Sequence, residues 1–264
     1  MRDKIRNAWV ESAHVFALHS PRTWTSRSST GCGRPPMRDV LVVQNAASGG
    51  PRRLGEWLTD DGLELEVVRA FEGAAVPEEL GERALVVLGG GYLPSEDGRA
   101  PWLAATRALV REALDEGRPY LGVCLGGQML AEVAGGLVKG DAGEPENGST
   151  AITLRPEAAE DALFHGLPKV VTAIEHHKDA VVELPPDAVW LAETEACPYQ
   201  AFRVGAAAWG VQFHPEVWPE RILEWDDRGF DLAELHRRAL LDEPSATPVW
   251  REVARRFSGV SRNS

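Results

Sequence analysis

The sequence predicts an α/β fold: an open, mostly parallel, doubly wound sheet with an antiparallel extension and C-terminal helices. Three observations predict it. Short apolar runs alternate with helical patterns from residue 39 to residue 136. Those runs are apolar throughout, as strands covered on both faces must be. After residue 150 the helices thin out and closely spaced strands follow, separated by turn residues such as Pro185-Pro186-Asp187.

In chain order, DVLVVQ (39–44) is the first strand, and Gly49-Gly50-Pro51 turns into a helix near 51–61. ELEVVR (64–69) and ALVVL (84–88) are the next strands, the latter running into Gly89-Gly90-Gly91. PWLAATRALVREALDEG (101–117) places apolar residues at helical spacing and stops on Gly117. PYLGV (119–123) is a fourth strand and GQMLAEVAGG (127–136) a helix. AITL, VVTAI, AVVEL, VWLAE, QAFRV and AAWGVQF supply the strands of the second half, and residues from about 217 to 258 read as helices. The nine tryptophans are scattered at element ends and are assigned to packing.

The composition narrows the function. Apolar residues make up 44% of the 264, enough for a packed core. The net charge of −12, with no basic run, argues against a nucleic-acid partner, because phosphate binding needs a basic face. Cys32, Cys124 and Cys197 form no disulfide framework, which fits a reducing cytoplasm. No apolar run approaches the roughly 18 residues of a membrane span. Glu11, His14 and His19 interrupt any secretory apolar segment. Residues 1–36 carry six basic side chains against Asp3 and Glu11, a net of +4 that leaves −16 for the rest. Their Ser, Thr, Gly and Pro content reads as a disordered leader. Met37, just before the first strand, is an alternative start. The expected organisation is therefore a leader over 1–36, an α/β domain over 37–217 and a helical extension over 218–264 packed on it.

PYLGVCLGGQML (119–130) is the segment that carries chemistry. A strand runs into Cys124, Gly122 and Gly126 flank it, and a helix starts at once: the layout of a nucleophile elbow. Glycines suit the crowded, strained turn. Bare N–H groups at the helix start favour thiolate over thiol and can hold an oxyanion. Gly-x-Cys-x-Gly alone is equally compatible with a buried, inert cysteine, the reading given to Cys32 and Cys197. VQFHPEV (211–217) brings His214 to a strand end with Glu216 two residues on. A histidine can take the thiol proton and later protonate a leaving amine, and a carboxylate can orient its ring. The two would point the same way if the chain stayed extended through Pro215. Alone, His-Pro-Glu is compatible with a solvated surface turn.

GVCLGGQ followed by QFHPE, with His214 90 positions after Cys124, resembles the class I glutamine amidotransferase family. VVLGGGYLPSEDGRAPWL resembles that family's oxyanion-strand segment and QAFRVGAAAWGVQFHPE its C-terminal strands, so the resemblance spans about 38–217. It is nearest to stand-alone members similar to the amidotransferase domain of GMP synthase. The resemblance implies a flavodoxin-like sheet and hydrolysis of the glutamine side-chain amide through a γ-glutamyl thioester. It maps the catalytic triad to Cys124, His214 and Glu216, the oxyanion hole to Gly90 and Leu125, and a substrate-binding position to Gln128. It implies no cofactor and no metal. Glutamine would be the substrate, and the partner a separate synthetase or acceptor subunit.

Other readings of the same motifs are bounded by the sequence. No Lys-Ser or Lys-Thr follows the triple glycine, and Tyr92-Leu93-Pro94 opens no helix, so phosphate-loop and dinucleotide readings lack support. Ser149 stands where the family usually has a tryptophan, which bears on the glutamine pocket or partner surface. EHHKDAV (175–181) aligns His177 and Asp179 with a His-x-Asp element of the stand-alone group, implying a pocket-rim or loop-anchoring role. His176 and His177, adjacent on a strand, point to opposite faces and make a poor metal pair. The helices expected after residue 217 are too few for a synthetase domain. The same triad also fits a γ-glutamyl hydrolase acting alone, and the fold also fits a catalytically silent regulatory module.

Overall fold

The structure is a computed structural model that describes residues 39–226 and 229–263; the segment 1–36 read as a leader, and Met37, lie outside the described residues. Four parallel strands form one half of the main sheet: β1 (Val40–Gln44), β2 (Leu65–Arg69), β3 (Ala84–Val87) and β4 (Tyr120–Val123). The other half contains β6 (Glu146–Leu154), β7 (Val170–His177), β9 (Val189–Glu193), β10 (Ala201–Val204) and β11 (Ala208–Val211). The sheet runs β2-β1-β3-β4-β11-β10-β9-β6-β7. β11 is parallel to β4, and the pairs beyond it are antiparallel. The fold expected from the sequence is present. A small antiparallel pair, β5 (Leu137–Lys139) with β8 (Ala180–Glu183), accompanies it; β5 has no counterpart among the expected strands.

Helices cover both faces, and the two-residue period of the strands decides what each covers. Val40 and Val42 of β1, with Val86 of β3, pack with Leu54, Trp57 and Leu58 of α1 (Arg52–Asp60) and with Trp250 and Phe257 of α4 (Leu232–Arg262). Leu41, Val43, Leu85 and Val87 pack instead with Leu103, Leu109 and Val110 of α2 (Trp102–Glu116) and Met129 and Leu130 of α3 (Leu125–Val133). Burial on both faces is why these strands lack polar alternation.

Two departures from the expected elements have clear causes. α3 starts at Leu125, two residues early, because Cys124 itself turns the chain, and it ends at Val133. Gly135 takes a positive φ of 93°, and Gly136 N–H bonds back to Ala131 O at 2.8 Å, which closes the helix end. The tail is a short 3-10 turn (Pro219–Glu224) and one 31-residue helix, α4, with Pro244 and Pro248 inside it. An interior proline costs a helix about 3 kcal/mol. Burying Trp250, Val253, Ala254 and Phe257 against the sheet offsets that cost. No helix among the described residues is long and apolar enough to cross a membrane.

Candidate active site

β4 delivers Cys124 to the carboxyl edge of the parallel strands, where open sheets of this kind place ligands. Cys124 has φ 51° and ψ −107°, a conformation side chains rarely adopt, and caps α3 directly. Close packing imposes the turn. A Cβ on Gly122 would lie 2.4 Å from Gly126 O, and one on Gly126 would lie 2.0 Å from Val87 O. Buried Tyr120 donates its hydroxyl to Gly126 O at 2.8 Å, and burial raises its phenol well above the usual range. Leu125 and Gly126, the first residues of α3, carry N–H groups that an α-helix leaves without internal acceptors.

β11 ends at Val211, and the residues beyond it curl over the edge. Gln212 N–H still bonds Gln200 O, just before β10, at 2.9 Å, and His214 N–H bonds Ile174 O of β7 at 2.8 Å, so the backbone of two separate strands holds this segment. The chain does not stay extended through Pro215: residues 215–216 form a turn. The turn swings the Glu216 carboxylate back, so that its Oε1 lies 2.8 Å from His214 Nδ1. Glu216 is 2% exposed. Burial opposes a charged His214, but the Glu216 carboxylate and the Cys124 sulfur outweigh it and hold the imidazole well above the ordinary histidine range. A Cβ on Gly89 would sit 3.0 Å from His214 Cε1 and 3.6 Å from Cys124 Cβ, so the glycine loop abuts both residues. One on Gly90 would press at 3.0 Å on both Asn45 Cβ and Leu125 Cδ2.

Cys124, Gln128, Gly89, Gly90, His214 and Glu216 line one open cavity of about 870 Å³. Gln128 is nearly buried and its amide nitrogen is committed, donating to Asp179 O at 2.9 Å and to Gln212 Oε1 at 3.1 Å. Its side-chain oxygen is what remains for a ligand. Sequence reasoning misses Gln212. It donates to Cys124 Sγ at 3.5 Å and links the sulfur to Gln128. The available signal is a glutamine between two apolar strand residues, immediately before the His-Pro-Glu run.

His177 and Asp179 also line the cavity, in different ways. Asp179 anchors loops, accepting Asp141 N–H at 3.0 Å through Oδ1. The His177 side chain is only 3% exposed and lies beneath the rim, its Nε2 3.2 Å from Glu146 Oε2 and 3.3 Å from Glu175 Oε2. Burial opposes its charge, but the two carboxylates raise it to about 10. Burial in turn raises Glu175. His176 points the other way, to Asn147 Oδ1 at 2.7 Å, and stacks on Trp225 at 4.1 Å. Among the described residues, Glu146, His177 and Cys197 bring ligand-type atoms within 4.8 Å of one another. The same Glu146 oxygen already accepts from Gln200 Nε2 at 2.7 Å, and burial lifts the Cys197 thiol far above its usual range. Internal hydrogen bonding accounts for that cluster. Ser149 faces away from the cavity, donating to Asp242 Oδ2 on α4 at 2.6 Å, and Asn147 takes the lining position on that strand.

Comparison with known proteins gives concordant results. The family model described as "Glutamine amidotransferase class-I" matches residues 52–222. A GMP synthase [glutamine-hydrolyzing] subunit from Methanopyrus kandleri is 38% identical over 143 residues, 53% of this chain and 71% of that protein. The protein of the same name from Pyrococcus abyssi is 41% identical over 100 residues, 38% of this chain and 51% of that protein. The crystal structure of a glutamine amido transferase from Methylobacillus flagellatus superimposes with a TM-score of 0.75 at 26% identity, covering 84% of this chain and 95% of that one.

Proposed function

The chain belongs to the class I glutamine amidotransferase family, and we propose that it hydrolyses the side-chain amide of glutamine with Cys124 as nucleophile, His214 as proton carrier and Glu216 as the group that orients it. The observation that carries this reading is the geometry of Cys124: a residue with positive φ at the start of α3, beside a histidine whose far nitrogen is held 2.8 Å from a buried carboxylate.

The chemistry follows from that arrangement. The Cys124 sulfur attacks the carboxamide carbon, and its proton passes to His214. The N–H groups of Leu125 and Gly90 receive the negative charge that develops on the amide oxygen. His214 then protonates the leaving nitrogen, the C–N bond breaks, and ammonia departs from a γ-glutamyl thioester. His214 next removes a proton from water, the resulting hydroxide attacks the thioester, and glutamate leaves as the thiol re-forms. Glu216 holds and orients the imidazolium through its contact with Nδ1. Gln212 and Gln128 keep the sulfur and the helix start in register, and the side-chain oxygen of Gln128 is the group assigned to the substrate.

The Methanopyrus and Pyrococcus relatives are each named as one part of a GMP synthase, which supports an acceptor site carried by a separate chain. We therefore assign the ammonia to an acceptor on a partner protein. The test is ammonia release from glutamine by the wild type and by Cys124→Ser, with and without a co-purifying synthetase. The reading expects weak activity alone, stimulation by the partner and loss in the variant. Ammonia release by Cys124→Ser at the wild-type rate would overturn it.

A further inference from the structure

We propose that Arg53 is a positioning residue that ties the C-terminal helix to the turn carrying His214 and Glu216; this rests on the catalytic reading of those residues given above. Arg53 lies on α1 and is 1% exposed, an unusual place for a guanidinium. Its Nε donates to Pro215 O at 2.7 Å. Its Nη1 donates to Glu243 Oε1 at 2.6 Å and to Thr247 Oγ1 at 3.2 Å. Its guanidinium lies 4.8 Å from the Trp218 ring centre and 5.2 Å from that of Trp57. Every one of these contacts fixes the planar group in orientation as well as in place.

The acceptor at the active-site end is what gives this a functional meaning. Pro215 is the single residue between His214 and Glu216, so pinning its carbonyl fixes the peptide on which their 2.8 Å contact depends. Glu216 has one oxygen, Oε2, that is buried without a hydrogen-bond partner. The charges of Glu216, of Glu243 on α4 and of Glu220 on the 3-10 turn all act on Arg53, and Glu216 also acts on Arg52, the position before it on α1. A lysine could not replace Arg53 faithfully, because a single ammonium lacks the fork that spans Pro215 O and Glu243. Glu243 and Thr247 both lie beyond the 52–222 family match. The C-terminal helix thus supplies part of the framework of the active site.

The experiment compares Arg53→Lys, Glu243→Gln and Thr247→Val in the full chain. Steady-state ammonia release gives kcat and KM, and mass spectrometry follows iodoacetamide alkylation of Cys124 at pH 6 and pH 9. A displaced imidazole should slow the chemical step more than binding. Arg53→Lys is expected to lower kcat about tenfold with KM within about twofold, and Glu243→Gln about threefold. Cys124 alkylation at pH 6, relative to pH 9, should fall in parallel, because a poorly placed His214 leaves less thiolate at low pH. If Arg53→Lys fails to fold, Glu243→Gln and Thr247→Val decide on the same readouts. Unchanged kcat and an unchanged alkylation ratio, with only a lower melting temperature, would overturn the proposal and leave Arg53 as a fold-stabilising contact. A wild type that alkylates rapidly at pH 6 but releases no ammonia from glutamine would remove the glutamine reading alone. The relay would then stand or fall on the alkylation ratio in the variants.

Discussion

Both halves of the sheet bury apolar side chains, but they differ in the ionisable groups buried with them. In the parallel half, Val40–Val43 and Leu85–Leu88 are all completely buried and all apolar. In the antiparallel half, β6 and β7 bury Glu146, Glu175 and His177 beside Gln200, and Glu216 is buried just past β11. The first half holds Cys124 by packing: Gly126 fits against Val87 O with no room for a methyl group. The second half holds His214 by charge and hydrogen bonding, from Glu216 directly and through backbone bonds to Ile174 and Gln200. A nucleophile needs position above all. A proton carrier also needs its protonation state set, and only buried ionisable groups can do that.

Four substitutions separate these roles. Cys124→Ser removes the nucleophile and should lower glutamine hydrolysis by about 10³-fold or more with the melting temperature nearly unchanged, read by ammonia release and by calorimetry. Glu216→Gln keeps the shape but removes the charge. Turnover should fall by about 10²-fold, and the titration of His214, followed by NMR, should move down toward the ordinary histidine range. Gly126→Ala tests the packing half. Its Cβ meets a backbone carbonyl that cannot yield, so stability should fall by about 2–3 kcal/mol in denaturant titration, with activity lost alongside. A neutral result there would mean that the elbow is not held by close packing.

His177→Gln probes the charged half with the smallest expected change. His177 sits at about 10 in the folded protein, above its 6.5 reference. The folded state therefore binds the extra proton, and its stabilisation is complete below about pH 6.5 and lost as pH rises through about 10. Wild-type stability should decline across that window more steeply than that of the variant, measured as melting temperature against pH. Parallel curves would show that His177 carries no charge in the native protein.

The contrast between the halves also decides what is legible in the sequence. Packing leaves a local signature: apolar runs and glycines at fixed spacing around Cys124 announce β4, the turn and α3. His214 and Glu216 are legible because two residues suffice to write them. The arrangement that makes them neighbours is not, since the chain turns at Pro215 where the sequence suggests extension. Arg53 is invisible for a different reason. An arginine in an amphipathic helix reads as solvated, and its partners Pro215 and Glu243 lie 162 and 190 positions away. Gln212 and the Glu146–Glu175–His177 group share that difficulty, because polar burial is decided by strands that meet only in the folded sheet. α4 runs through two prolines for the same reason: its helicity comes from the surface that it covers and not from its own residues.

The central claim is that the sulfur of Cys124, next to His214, is the reacting atom toward glutamine. The direct measurement is to treat the full-length protein with a glutamine-analogue electrophile, with and without excess glutamine, and to map the adduct by mass spectrometry. The account predicts a single modification on Cys124, suppressed by glutamine and abolished in His214→Ala. Label on Cys197, or label on Cys124 that glutamine does not protect, would contradict it.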